Sequence, residues 1–386
     1  MPLDWRSKLI HSQATAPEGF RSLATPTYRG STTLFTSAAE VTDHWDQEHV
    51  RYSYGLYGTP TSFELAARIA DLEGAHYCFI TPGGQAAIAL IYLTFARAGG
   101  HVLVPDSVYG PSRALAERLL SRLGVETEYY DPLVGADIRH LLRPTTQLIW
   151  CESPGSVTME VQDIGAISKA ARQAGVVTAL DNTYAAGVLF DAFSAGVDVA
   201  MQALTKYIGG HSDVLLGSVT TRDHGHYQAL GDARQLLGMG ASPDDCSLAI
   251  RGLQTLAVRL DQLERSTLAV ARWLEQQPEI ARLRHPAFAS CPGHGNWKRD
   301  FAGSASIFSV EFAPSMPRDV IVRLLDELKL FKIGYSWGGV ISLVMPHFNL
   351  RRRLPNHDPS IVRFNIGLEA VGDLIADLEA AFSAIR

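Results

Sequence analysis

From residue 62 to about 221 the apolar positions alternate between two periods. SFELAARIADLEG (62–74) repeats at helical spacing and predicts an amphipathic helix stopped at Gly74, followed by a short strand, HYCFI (76–80). TPGGQ then turns into a helix over AAIALIYLTFARA, ended by Gly99 and Gly100. The strand HVLVP (101–105), the helix SRALAERLLSRLG (112–124), the strands VETEYY (125–130) and QLIWCE (147–152), and the helix DIGAISKAARQAG (163–175) follow. Three further apolar runs, VVTAL (176–180), VAMQAL (199–204) and VLLGSVTT (214–221), read as strands. Strands separated by helical crossovers predict an α/β fold with a mainly parallel, doubly wound sheet.

Around 240–252 the pattern changes. One long helix is expected over 246–277, then an alternating strand ASIFSVEFA (305–313), a helix RDVIVRLLDELKL (318–330), strands ISLVMP (341–346) and IVRFNIGLE (361–369), and a last helix from Val371. Alternation there is less strict, which predicts a smaller α+β unit. Residues 284–304 are rich in Pro, Gly and His and read as a loop. Residues 1–56 show little periodicity and read as an arm of the kind that embraces another subunit. The expected division is an arm at 1–56, a domain at 57–250 and a C-terminal α+β domain at 251–386.

Composition narrows the class. The chain has 386 residues, enough for two or three domains with ample core, and its net charge of −6 gives no reason to expect a nucleic-acid partner. The four cysteines form no CxxC pair, suggest no disulfide framework and fit a reducing compartment. The N-terminus lacks the apolar core of a signal peptide, and the longest apolar stretch (86–96) falls short of the roughly 20 residues a membrane span needs. A soluble cytoplasmic protein is expected. Cys291 and His294 in CPGH have no second pair at ligand spacing, so no metal is expected. The run Arg351, Arg352, Arg353 reads as a solvated loop face.

The candidate chemistry lies at strand ends. In open α/β sheets the carboxyl ends of the strands face the ligand crevice. Asp181 and Lys206 both fall at such ends, 25 positions apart. An amine nucleophile and a carboxylate so placed suit pyridoxal phosphate, the lysine forming a Schiff base and the carboxylate pairing with the pyridine nitrogen. A strand-end Asp and a surface Lys are the alternative. Gly84 and Gln85, at a strand–Gly-Gly–helix junction, could cradle a phosphate on helix N–H groups or form an ordinary turn. Tyr109 could stack on a planar cofactor or pack in its loop. Thr205 could reach the phosphate or cap a strand end. Arg363, a lone cation in an apolar run, needs an anion: a substrate carboxylate or a neighbouring acid.

Together these motifs resemble the Cys/Met-metabolism family of pyridoxal phosphate enzymes, over about Tyr52 to Glu369. The resemblance implies fold type I. It implies that Lys206 in TKYIGGHSD is the Schiff-base lysine, with Thr205 on the phosphate, and that Asp181 in DNTYAAGVLF is the ring-nitrogen partner. PGGQAA resembles the phosphate loop, placing Gly84 and Gln85; Tyr109 resembles the stacking ring; Tyr54 in YGLYGTPT resembles the tyrosine that reaches a neighbouring subunit's phosphate. Arg363 resembles the α-carboxylate site, with Ser336 and Trp337 of YSWGG beside it. ESPGSVTMEVQD (152–163) and YSWGG resemble the family's β-lyases, which implies β-elimination of L-cystathionine to homocysteine, pyruvate and ammonia, in methionine biosynthesis, by a homotetramer with shared sites. A γ-lyase or γ-synthase, a broader cysteine-S-conjugate β-lyase with racemase side activity, and a non-catalytic regulatory partner are the other readings. Leu56, Ala203 and Ile341 depart from the family pattern, at an arginine, a serine and a glutamate. Each phosphate hydrogen bond lost weakens cofactor binding by roughly 1.5–3 kcal/mol, and Arg51 or water is expected to compensate.

Overall fold

The computed structural model describes residues 4–11, 19, 22–41, 46–350 and 360–386, so the arginine run at 351–353 lies outside the described residues. A seven-stranded sheet is built from β1 (Tyr77–Thr81), β2 (His101–Pro105), β3 (Glu126–Tyr130), β4 (Thr146–Glu152), β5 (Val177–Asp181), β6 (Val199–Gln202) and β7 (Gly217–Thr221). Its order is β1-β7-β6-β5-β4-β2-β3. The pairs among β2 to β6 are parallel, and β7 runs antiparallel to both β1 and β6. The expected mainly parallel sheet is what forms.

Strand alternation explains the two layers of helices. Val102, Val104, Leu148 and Trp150 point to one face, where they pack with Ile88, Ile91 and Tyr92 of the helix Gly84–Phe95. Leu103, Ile149, Cys151 and Leu180 point to the other, against Ile164, Ile167 and Ala171 of the helix Ile164–Gln173. Neither face is solvated, which is why these strands are apolar throughout.

A second, five-stranded sheet takes β8 (Ile280–Arg284), β9 (Ile307–Phe312), β10 (Lys332–Ile333), β11 (Leu343–His347) and β12 (Ile361–Asn365), in the order β10-β11-β12-β9-β8. Val362 and Phe364 of β12 pack with Phe308 and Val310 of β9 against the helices Leu256–Glu275, Arg318–Glu327 and Val371–Ile385. By the same alternation Arg363 and Asn365 face away from those helices.

Three expectations change. The helix expected over 246–277 is two, Pro243–Leu253 and Leu256–Glu275. The carbonyl of Gly252 is taken by the Thr255 amide (3.1 Å), the Thr255 hydroxyl (3.2 Å) and the Arg259 guanidinium (2.8 Å), which breaks the helical ladder. The expected loop 284–304 contains a short helix, His294–Asp300, started by Gly293 in the left-handed region (φ +81°). Its polar sequence gives no apolar period; Asn296 and Trp297 anchor it through hydrogen bonds to Val161 O and Gly303 O. The helix expected over 112–124 is α-helical at Gly110–Leu115, then a π-helical turn and a 3-10 turn ending at Gly124. No helix among the described residues is long and apolar enough to cross a membrane.

Candidate active site

The parallel strands bring three chemical groups to one edge. Glu152 ends β4 and is the register partner of Asp181, which ends β5, and the turn after β6 carries Ala203, Thr205 and Lys206. β1 ends at Thr81, from which Pro82 and Gly83 lead into the helix Gly84–Phe95. With Tyr109 and Trp337 these elements line a cavity of about 340 Å³. A second cavity of about 620 Å³ adjoins it, sharing Tyr109, Ser156, Lys206 and Trp337 and adding Ser336 and Arg363.

Lys206 Nζ donates to Ser336 Oγ at 2.7 Å and lies 5.3 Å from the centre of the Trp337 ring. Burial lowers its pKa to about 8; the charge of Arg363 adds to the lowering and Asp181 opposes it. Asp181 is shifted upward by burial, and hydrogen bonds from Thr183 and the charge of Lys206 offset part of the rise. Thr183 donates to Asp181 Oδ1 from its amide (3.0 Å) and its hydroxyl (2.5 Å), while that hydroxyl accepts from Ala203 N–H (2.9 Å). Thr183 therefore fixes the distance between the Asp181 carboxylate and the lysine turn. Glu152 is pushed well above the usual carboxylate range by burial and by Asp181. It accepts the Tyr109 amide at 2.8 Å, so it holds the backbone from which the Tyr109 ring projects.

Arg363 is only 7% exposed. It reaches the Ser156 carbonyl at 3.5 Å, and among the described residues no carboxylate pairs with it. Burial lowers its pKa to about 10, with Tyr109 opposing. A buried guanidinium on a cavity wall, with no carboxylate paired to it among the described residues, fits an anion site. The Thr205 hydroxyl both donates to and accepts from the Leu216 backbone, at 3.2 Å each, so the strand-end cap is real and coexists with its place on the cavity wall. Gln85 Nε2 donates to Pro111 O at 3.1 Å. Tyr54, 48% exposed, forms a bridge with Thr32 and is not among the residues lining its own chain's cavities. Arg51 packs over the Tyr52 and Phe63 rings, at 5.2 Å from each, also away from those cavities.

The residues present fit pyridoxal phosphate. The first-turn N–H groups of a 12-residue helix open on the cavity at Gly84 and Gln85, as an anion requires. A Cβ on Gly84 would lie 2.6 Å from Ala203 Cβ, so only glycine leaves that approach open. The cavity volume falls in the small-molecule range of roughly 300–1,000 Å³. A half-buried carboxylate, Asp181, and a lysine of lowered pKa stand on its wall. Sequence reasoning missed Glu152 and Thr183. Glu152 ends an apolar strand just as Asp181 does, and that signal was readable; the reach of Thr183 depends on the turn.

The pattern of the Cys/Met metabolism PLP-dependent enzyme family matches residues 6–383. The chain is 42% identical over 340 residues to the cystathionine β-lyase MetC of Escherichia coli K12, covering 86% of each chain. It is 37% identical over 395 residues to the cystathionine β-lyase of Haemophilus influenzae, covering 99% of this chain and 98% of that one. The crystal structure of a cystathionine γ-lyase from Lactobacillus plantarum complexed with L-serine superposes with a TM-score of 0.90 at 27% identity, over 99% of both chains.

Proposed function

The chain belongs to the Cys/Met metabolism PLP-dependent enzymes, and from that premise we propose that it cleaves L-cystathionine by β-elimination to homocysteine, pyruvate and ammonia. Within a shared fold, the β-lyases lie nearer in sequence, at 42% and 37% identity, than the γ-lyase at 27%. The observation that carries the chemistry is the meeting of Lys206, Asp181 and the buried Arg363 around two joined cavities.

Bound pyridoxal 5′-phosphate supplies an electron sink that acidifies the substrate Cα–H. Gly84, Gln85 and Thr205 would hold its phosphate, Asp181 its ring nitrogen, and Tyr109 one face of its ring. Arg363, with Ser336 and Trp337, holds the substrate α-carboxylate and so aims the Cα–H at Lys206. Lys206, held toward the cavity by its 2.7 Å hydrogen bond to Ser336 Oγ, takes that proton. The Cβ–S bond then breaks, sulfur leaves as homocysteine after protonation, and water releases pyruvate and ammonia. Incubating the purified protein with L-cystathionine should yield pyruvate and homocysteine. Formation of 2-oxobutyrate and cysteine instead would overturn the reading, as would turnover by Lys206→Ala.

The same reading takes the arm 1–56, the cofactor domain 57–250 and the C-terminal domain 251–386 as the working parts of a cytoplasmic homo-oligomer, a tetramer in the full assembly. The exposed Tyr54 serves a neighbour's site, and the apolar Leu23 and Leu34, 100% and 93% exposed, are left for a partner to cover. Mixing inactive Tyr54→Ala chains with inactive Lys206→Ala chains should restore turnover, because some sites then receive an intact residue from each. No restoration after verified subunit exchange would exclude shared sites.

A further inference from the structure

We infer that Asn365 is a positioning residue: it seats the loop 336–339 on Lys206 and so ties the lysine to the strand that carries Arg363. The inference rests on the roles proposed above for Lys206 and Arg363.

A directed chain of hydrogen bonds supports it. The Ser306 amide donates to Tyr207 Oη at 2.9 Å, and because Ser306 Oγ spends its proton on Asn365 Oδ1, the phenol is the donor to Ser306 Oγ at 2.8 Å. Ser306 Oγ donates to Asn365 Oδ1 at 2.8 Å, and the same oxygen accepts the Gly338 amide at 2.8 Å. Asn365 Nδ2 donates to Ile341 O at 3.2 Å. Tyr207, Ser306 and Asn365 are 1%, 0% and 2% exposed, so the contacts among these three side chains are shut off from bulk water. Asn365 thus grips the loop at Gly338 and the chain just beyond it at Ile341, and it reaches through Ser306 to the residue after the lysine.

The loop needs that grip. Ser336 has φ +78° and Gly338 φ +80°, and a non-glycine residue stays left-handed only where its surroundings hold it. A Cβ on Gly338 would lie 3.0 Å from Tyr207 N and 3.1 Å from the Lys206 carbonyl carbon, so the loop rests directly on the Lys206–Tyr207 peptide. Ser336 then presents the hydroxyl that meets Lys206 Nζ at 2.7 Å. Asn365 and Arg363 are two residues apart on one face of β12, with Val362 and Phe364 locked into the opposite core. Carboxylate recognition and lysine placement therefore share one rigid strand.

The test compares Asn365→Ala and Asn365→Asp in the full-length holoenzyme. Alanine removes both grips. Aspartic acid, kept neutral by burial, retains an acceptor toward Gly338 and a donor toward Ile341. Asn365→Ala is expected to lower kcat roughly tenfold or more with little change in KM, and to slow pyridoxal phosphate reloading of the apoprotein, while Asn365→Asp recovers most of both. Equal impairment of the two variants, or unchanged kcat and reloading in Asn365→Ala, overturns the proposal. Should Asn365→Ala fail to fold, Tyr207→Phe removes one hydroxyl at the far end of the chain; unchanged reloading and kcat there also overturn it. Reloading requires no substrate, so it judges Asn365 even if cystathionine proves not to be cleaved.

Discussion

Holding an ammonium on the wall of the cavity costs stability, and Lys206→Met should reveal how much. Burial and Arg363 lower the lysine pKa from 10.5 to about 8. At about 1.4 kcal/mol for each tenfold change in proton affinity, that drop corresponds to roughly 3 kcal/mol. The sign follows from linkage: the folded lysine binds its proton more weakly than the unfolded one. Between pH 8 and 10.5 the unfolded chain therefore holds more protons, and the stability of the wild-type apoprotein rises with pH. At pH 7 both states are protonated and the full cost is present. Loss of the hydrogen bond to Ser336 takes back part of the gain, so the apo variant should be more stable than apo wild type by roughly 1–3 kcal/mol at pH 7. The difference should shrink as the pH approaches 10. Urea unfolding of both apoproteins at the two pH values measures it. A difference independent of pH, or a less stable variant at pH 7, would refute the electrostatic account.

Three further outcomes are expected. Arg363→Lys keeps the charge but loses the planar fork, so KM for the amino-acid substrate should rise roughly tenfold or more with a smaller effect on kcat; an unchanged KM removes Arg363 from carboxylate binding. Ala203→Ser restores a hydroxyl beside the Gly84 cradle and should tighten pyridoxal phosphate by roughly tenfold, the worth of one hydrogen bond to a charged group; equilibrium dialysis showing equal affinity would mean that water or another residue already fills that place. Gly84→Ala should weaken cofactor binding, because the new Cβ would lie 2.6 Å from Ala203 Cβ. Adding Ala203→Gly should recover much of that affinity, and no recovery would show that the clash lies elsewhere.

How far the sequence could be read depended on the range of the interactions involved. The strands of the first sheet were legible because parallel strands covered on both faces must be apolar throughout, and helices of 12 and 10 residues lie between β1 and β2 and between β4 and β5. Once the strand ends were known, Asp181 and Lys206 followed from the rule that such ends face the crevice. Glu152 followed from the same rule and was overlooked. The break after Leu253 was not legible, since it depends on the Arg259 side chain folding back to the Gly252 carbonyl. The helix His294–Asp300 was hidden for a related reason: its contacts are to Val161 and Gly303, not to a periodic apolar face of its own.

By itself, then, the sequence determined the alternation of helix and strand, the chemistry of the candidate residues and the family they resemble, because periodicity and short motifs are local properties. Folding decided which of those residues meet. Arg363 and Lys206, 157 positions apart, line one cavity because β12 turns its apolar residues to its own helices and its polar ones toward the first sheet. The lowered pKa of the lysine, the raised pKa values of Glu152 and Asp181, and the grip of Asn365 on the loop over Lys206 exist only in that packed arrangement. Desolvation and charge proximity are properties of neighbours in space, and the order of residues along the chain does not carry them.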